Sequence, residues 1–164
     1  MLGWYYHARL LAGVLLGSVL LAACAYLAPL TQDDLGGRPA QAELANTPFF
    51  PQERYQCGPA ALAMLLNERG VVIAPDDLVS QVYLPAREGS LQSEIMAAAR
   101  RQGLLAVPVE PTLNALLAEI AAGHPVLVLQ NLGLRWLPRW HYAVVIGYDL
   151  NRQELVLRSG TLPR

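Results

Sequence analysis

The sequence predicts an α+β domain, because helix patterns fill the middle of the chain and strand patterns fill its last part. Helix-forming stretches with capping and stop residues recur between residues 57 and 122. Short apolar runs typical of strands follow at residues 125–130, 140–148 and 154–158. A chain of 164 residues with net charge −1 fits one domain with a substantial core. We therefore expect helices first in the chain, packed on a C-terminal sheet.

Residues 1–23 are predicted to be a secretory signal peptide. An uncharged apolar run at 10–23 spans about 14 residues, whereas a membrane-spanning helix needs roughly 20. The run ends in LAAC at 21–24, which resembles a bacterial lipoprotein signal and implies lipidation of Cys24. An uncleaved anchor helix reaching about residue 30 is the alternative. Ala25, rather than aspartate, favours an outer-membrane protein facing the periplasm. The expected localisation is therefore the cell envelope.

The polar residues 24–47, with prolines and a glycine pair, are predicted to be a tether between the membrane and the domain. The catalytic or binding domain is then expected at residues 48–164. The chain ends at Arg164 shortly after the last strand pattern, and truncation of this domain at its C-terminus is one interpretation.

Four helices are expected in this domain. The first begins near Cys57, has Pro59 in its first turn and stops at Gly70. The others are predicted at 75–82, from a Ser90 cap to Gln102, and from a Thr112 cap to Ala122. Besides the three apolar runs above, the weak alternation of 104–109 predicts a further strand.

Cys57 is the candidate nucleophile. If Cys24 is acylated, Cys57 has no partner for a disulfide, so it is either an inert buried residue or a reactive one. At a helix start, the helix dipole and unpaired backbone N–H groups favour the thiolate. Gly58 leaves room for a substrate carbonyl, and Gln52 lies where its amide can complete an oxyanion hole with the Cys57 N–H.

Of three histidines, His141 is the candidate acid/base partner. His7 lies in the signal peptide, and His124 lies at a helix-to-strand corner typical of a solvated residue. His141 opens an apolar strand, where a histidine can face a cysteine on a helix. A half-buried structural histidine is the alternative. Cysteine early and histidine late is the papain-type chain order.

The motifs Q-x-x-x-x-C-G-P-A at 52–60 and H-Y-A-V-V-x-G-Y-D at 141–149 resemble the bacteriocin-processing peptidase family. These are papain-like cysteine peptidases that cut double-glycine leader peptides, and the likeness is greatest to stand-alone exported lipoprotein members. The resemblance implies a papain-like fold, with helices on a C-terminal antiparallel sheet. It implies Cys57 as nucleophile, His141 as general base and then acid, and Gln52 as oxyanion donor.

The sequence departs from this family where a third residue orients the imidazole. Family members have Asp or Asn there, whereas strand matching puts Ser159 near that position. Asp149 is the other candidate, in a turn, and the absence of any orienting residue is the third possibility. No transporter segment or phosphate-binding Gly-x-x-x-x-Gly-Lys loop is present in the sequence, so ATP is not an expected partner.

Composition and motifs weigh against other function classes. The net charge gives no basis for nucleic-acid binding, and no Cys/His/carboxylate spacing suggests a metal site. We expect a peptide or protein substrate and no cofactor. Trp136, Trp140 and Tyr142 either line a peptide groove or pack the strand. The rival functions are a non-catalytic peptide-binding lipoprotein, an acyl or amide transferase using the same Cys–His pair, and a structural envelope lipoprotein.

Overall fold

Helices pack against an antiparallel sheet in the part of the chain that the computed structural model describes, residues 36–52 and 56–161. The signal peptide predicted at 1–23 and the lipidation site Cys24 lie outside the described residues. The four α-helices among these residues are α1 Cys57–Glu68, α2 Pro75–Val82, α3 Gln92–Arg101 and α4 Leu113–Ala121. The strands are β1 Gln41–Glu43, β2 Tyr83–Leu84, β3 Gly89–Ser90, β4 Val126–Asn131, β5 Trp140–Asp149 and β6 Glu154–Arg158.

The helices form close to where the sequence predicts them. Helix α1 ends before Gly70, whose backbone has the positive φ of 83° that favours glycine. The Thr112 hydroxyl accepts a hydrogen bond of 3.2 Å from the Ala115 N–H and so caps α4. The Ser90 cap predicted for α3 is wrong, because Ser90 belongs to strand β3 and α3 begins at Gln92 without a side-chain cap.

Strand β5 is the centre of the main sheet, and all its pairings are antiparallel. β4 pairs with its first half, from Asn131 opposite Trp140 to Val126 opposite Val145. β6 pairs with its second half, and Val145 has partners in both strands, so β4 and β6 lie on opposite sides of β5. These pairings confirm the expected α+β class with an antiparallel sheet.

Both faces of β5 are buried. Tyr142, Val144 and Ile146 belong to one hydrophobic core with residues of α1, α2 and α3. The alternate residues Ala143 and Val145 are equally inaccessible, as expected for a strand covered on both sides. Helix α4 also packs against β5.

The tether predicted for 24–47 is wrong at its C-terminal end. Residues 41–43 form β1, which pairs with the end of β5, from Gln41 opposite Asp149 to Glu43 opposite Gly147. The Tyr148 hydroxyl also donates a hydrogen bond of 2.8 Å to the Pro39 carbonyl. A three-residue edge strand has too short a pattern to stand out from polar sequence, which explains the error.

The strand predicted at 104–109 is also absent from the described structure, where these residues are irregular. Leu104 and Ala106 pack against the core while Leu105 and Val107 are exposed, so the alternation is real. None of the described strands pairs with this segment. Among the described residues, we find no helix with the length and apolar character needed to cross a membrane.

Candidate active site

Cys57 is the first residue of α1, and its thiol is free and partly buried against the core. The residue before it, Gln56, provides no side-chain cap, and the first turn contains no acidic residue. No described side chain therefore neutralises the positive potential of the backbone N–H groups at this helix end, where Cys57 lies.

Gly58 is buried, and the space beside its Cα is filled by Ser90 of β3. A Cβ atom at Gly58 would lie 2.2 Å from the Ser90 Oγ and 2.6 Å from its Cβ. The close approach that Gly58 permits in this structure is therefore that of Ser90. The Ser90 hydroxyl is buried and has no hydrogen-bond partner among the described residues.

His141 is partly buried at the beginning of β5, and its Nε2 atom lies 3.0 Å from the Ser159 Oγ. Ser159 reaches this point because it directly follows β6, whose last residue Arg158 is opposite Val144. Burial lowers the pKa of His141 below its ordinary value by disfavouring the charged ring. The hydrogen bond at Nε2 leaves Nδ1 as the nitrogen for a proton from a thiol.

Asp149, the other candidate for orienting the imidazole, is at the opposite end of β5 from His141. Eight residues of strand correspond to about 27 Å. The Asp149 carboxylate instead accepts hydrogen bonds from the backbone N–H groups of Asn151 and Arg152, in the turn before β6. Of the two sequence candidates, the structure therefore places only Ser159 at the imidazole.

Gln52 is 7% exposed, and its hydrogen bonds join the two segments that carry His141 and Ser159. Its Nε2 donates to the Tyr142 carbonyl at 3.3 Å, and its Oε1 accepts from the Gly160 N–H at 3.0 Å. Its backbone N–H also donates to the Gly160 carbonyl at 2.8 Å. A primary amide carries two N–H groups, so one remains for another acceptor.

Tyr142 connects this arrangement to Cys57. Burial raises the pKa of the Tyr142 phenol above its ordinary value, and the electrostatic effect of Cys57 raises it further, so the two side chains lie near each other. Within the described part of the chain, no hydrogen bond joins the Cys57 thiol to the His141 ring. The structure thus gathers His141, Ser159 and Gln52 by hydrogen bonds, and α1, which begins at Cys57, packs on the same strand β5.

The remaining residues of interest separate into buried and exposed positions. Tyr142 is 4% exposed and lies in the core, whereas Trp136 and Trp140 are 79% and 63% exposed. Tyr142 also lines a cleft of about 1060 Å³ between α1, α3, the irregular segment 104–111 and β4. His124 is solvent-exposed beside Glu119, with a ring nitrogen to carboxylate distance of 2.9 Å.

Two backbone positions of the site were missed by sequence reasoning. The Tyr142 carbonyl and the Gly160 amide hold Gln52, yet neither contributes a reactive side chain that a motif search would select. The only available signal was their position, each next to a candidate residue. Among the described residues, no group of three or more His, Cys, Asp or Glu side chains is placed to hold a metal ion.

Comparison with known proteins gives one family-level result. The family model described as the Peptidase_C39 like family matches residues 44–159, which is more than half of the chain and includes Gln52, Cys57, His141 and Ser159. No curated protein and no solved structure gives a significant match. The chain therefore belongs to the Peptidase_C39 like family of papain-like cysteine peptidases.

Proposed function

We propose that this protein hydrolyses peptide bonds with Cys57 as nucleophile, His141 as acid/base and Gln52 as oxyanion donor. The observation that carries the proposal is the placement of Gln52. Its buried amide is bonded beside both His141 and Ser159, on the segment that leads into Cys57. An amide used only for packing would not need to connect these particular residues.

In the proposed reaction, His141 Nε2–H donates to Ser159 and Nδ1 takes the proton of the Cys57 thiol. The thiolate attacks the substrate carbonyl carbon, and the carbonyl electron pair moves to oxygen. The Cys57 N–H and the second N–H of Gln52 bind this oxyanion. The Nδ1 proton then passes to the leaving amine, which gives an acyl-enzyme. His141 Nδ1 next takes a proton from water as the resulting hydroxide attacks the thioester carbon. The C–S bond then breaks, the carboxylic acid product leaves, and the Cys57 sulfur takes the Nδ1 proton back.

One rival function also has a specific observation in its favour. The thiol and the imidazole are not hydrogen-bonded to each other, and the orienting residue is a serine rather than a carboxylate. A non-catalytic peptide-binding lipoprotein needs neither a thiol–imidazole hydrogen bond nor an orienting carboxylate. Catalytic hydrogen bonds often tighten only when substrate binds, so we favour the peptidase. An acyl or amide transferase would use the same Cys57–His141 pair.

Substitution of the two reacting residues tests the proposal. We expect Cys57→Ala and His141→Ala each to abolish cleavage of a broad peptide library by the purified protein. A thiol-reactive probe at pH 6 should label Cys57 much faster than free cysteine, and His141→Ala should slow this labelling. Unchanged cleavage in either variant contradicts the peptidase. Slow labelling without cleavage supports the binding protein, and product transfer to an added amine supports a transferase.

We further propose that the protein is held in the cell envelope by acylation of Cys24, because the LAAC sequence at 21–24 has the form of a lipoprotein signal. The substrate would then be an envelope peptide or protein. Incorporation of labelled palmitate tests this proposal. We expect labelling of the native chain and its loss in Cys24→Ser, with Cys57→Ser as the matched control that retains the label.

A further inference from the structure

The turn between β4 and β5 carries an unusual concentration of exposed apolar side chains. Half of the twelve large hydrophobic residues that are exposed in the described structure fall within residues 129–140, called here the apolar hairpin. They are two tryptophans and four leucines: Trp136, Trp140, Leu129, Leu132, Leu134 and Leu137. A cluster of this kind on a protein surface marks a site of contact with another phase or molecule.

The apolar hairpin is ordered by its own hydrogen bonds. Leu134 and Leu137 exchange backbone N–H to carbonyl bonds of 3.1 and 3.0 Å across the tip. The Asn131 side-chain oxygen accepts from the backbone N–H groups of Gly133 and Arg139, both at 2.9 Å. The exposed side chains are therefore displayed on a fixed scaffold, and their exposure is not the result of an unstructured loop.

The charges of the apolar hairpin identify a complementary partner. Residues 129–140 contain Arg135 and Arg139 and no Asp or Glu. Neither arginine forms an ion pair with any residue in the described ranges. Tryptophan is enriched where proteins meet the headgroups of a membrane, and arginines near an anionic bilayer are attracted to its surface.

We propose that the apolar hairpin is a membrane-docking element that inserts Trp136 and its neighbouring leucines into the interface of an anionic phospholipid bilayer. A hairpin tip with exposed apolar side chains suits a bilayer better than it suits a small ligand, because ligand sites are concave. Trp140 directly precedes His141, so docking would bring the catalytic end of β5 to the membrane surface. This last consequence rests on the proposed function, whereas the docking itself does not.

Tryptophan fluorescence provides a direct test, because the chain contains three tryptophans and the third is Trp4. The full-length Trp4→Phe protein reports on Trp136 and Trp140 alone. It is mixed with phosphatidylglycerol vesicles that carry bromine atoms on the acyl chains, and with the same vesicles without bromine. We expect a blue shift on binding and a loss of emission specific to brominated lipid. Titration of vesicles into the protein gives the binding constant for this fluorescence change.

Variants of the apolar hairpin separate docking from other contacts. Leu137→Ser should weaken binding at least about fivefold, and Arg135→Gln and Arg139→Gln about fivefold each on anionic vesicles. Val72→Ser, which removes a side chain that is 94% exposed outside the apolar hairpin, should leave binding unchanged. Circular dichroism checks that each variant is folded.

Three results would overturn the proposal. The first is emission that does not respond to bromine. The second is a blue shift that grows with protein concentration in the absence of lipid, which indicates a second copy of the chain as the partner. The third is a blue shift caused by apolar peptides but not by vesicles, which assigns the apolar hairpin to substrate binding.

Discussion

Gly58→Ala is the substitution whose effect can be worked out most directly from the structure. The new Cβ would lie 2.2 Å from the Ser90 Oγ and 2.6 Å from the Ser90 Cβ, both far inside the contact distance. Restoring an ordinary separation of about 3.5–4.0 Å requires a shift of more than about 1 Å in α1 or β3. Gly58 directly follows Cys57, the proposed nucleophile, so such a shift would also displace Cys57.

Overpacking of this kind typically costs about 1–3 kcal/mol. Replacement of glycine by alanine in a helix returns up to about 1 kcal/mol. We therefore expect Gly58→Ala to lower the free energy of unfolding by about 1–2 kcal/mol. Ser90→Gly in the same chain removes both clashing atoms and should restore most of this loss. Ser90→Ala leaves the Cβ at 2.6 Å and should restore only part.

Urea unfolding followed by circular dichroism measures these differences, with the midpoints compared at equal slopes. The informative quantity is the coupling energy of the Gly58→Ala and Ser90→Gly double-mutant cycle, because it isolates the contact from the separate effects of each change. A Gly58→Ala protein as stable as the native one would refute the packing argument. A coupling energy of zero, in which the effects of the two changes on the free energy of unfolding are additive, would also refute it.

Three further predictions concern the hydrogen-bonded part of the site. Gln52→Ala should lower the free energy of unfolding by about 1–3 kcal/mol, measured in urea, because it leaves the Gly160 N–H unpaired. Gln52→Ala should also lower kcat/KM about 100- to 1000-fold, because the proposed oxyanion donor is lost. Gln52→Glu keeps the acceptor for the Gly160 N–H but removes the N–H donor. A fully active Gln52→Glu enzyme would therefore contradict the role of Gln52 as oxyanion donor. Ser159→Ala should lower kcat/KM about two- to tenfold, because it removes the hydrogen bond to the His141 ring. Ser159→Asp should raise the pKa of His141, because a carboxylate favours the charged ring, and NMR titration of the ring measures this pKa. Because burial lowers the folded-state pKa of His141, the unfolded chain binds the proton more readily. The free energy of unfolding should therefore fall as pH drops from about 6.5 through the lowered folded-state pKa. This fall should be smaller in His141→Gln, and an identical pH profile in both proteins would contradict it.

The sequence predicted most of the architecture where one local signal determined each element. The apolar pattern of β5 and the proline in the first turn of α1 are examples, and both elements form where expected. The errors occur where structure depends on a distant partner. Strand β1 exists because the end of β5 offers an edge to it, whereas residues 104–109 are irregular and pair with no described strand.

The candidate site shows the same division between local and distant information. The candidate side chains could be selected from two short motifs, but the connections among them could not. Gln52 bonds to the Tyr142 carbonyl and the Gly160 amide, and any residue type would present those same backbone groups. The contact of Gly58 with Ser90 could not be predicted for the same reason, since Ser90 comes from a strand that the sequence did not reveal.

These contacts divide the site into two parts that are fixed in different ways. Hydrogen bonds hold the imidazole of His141 to Ser159 and tie its strand to Gln52, so this part moves as one unit with the sheet. Among the described residues the Cys57 thiol has no such bond, and its position depends on the packing of α1. The distance between sulfur and imidazole is therefore governed by the helix layer, where Gly58 meets Ser90. It follows that changes at Gly58 should alter the reactivity of Cys57 without altering the pKa of His141, whereas changes at Ser159 should act on the imidazole first.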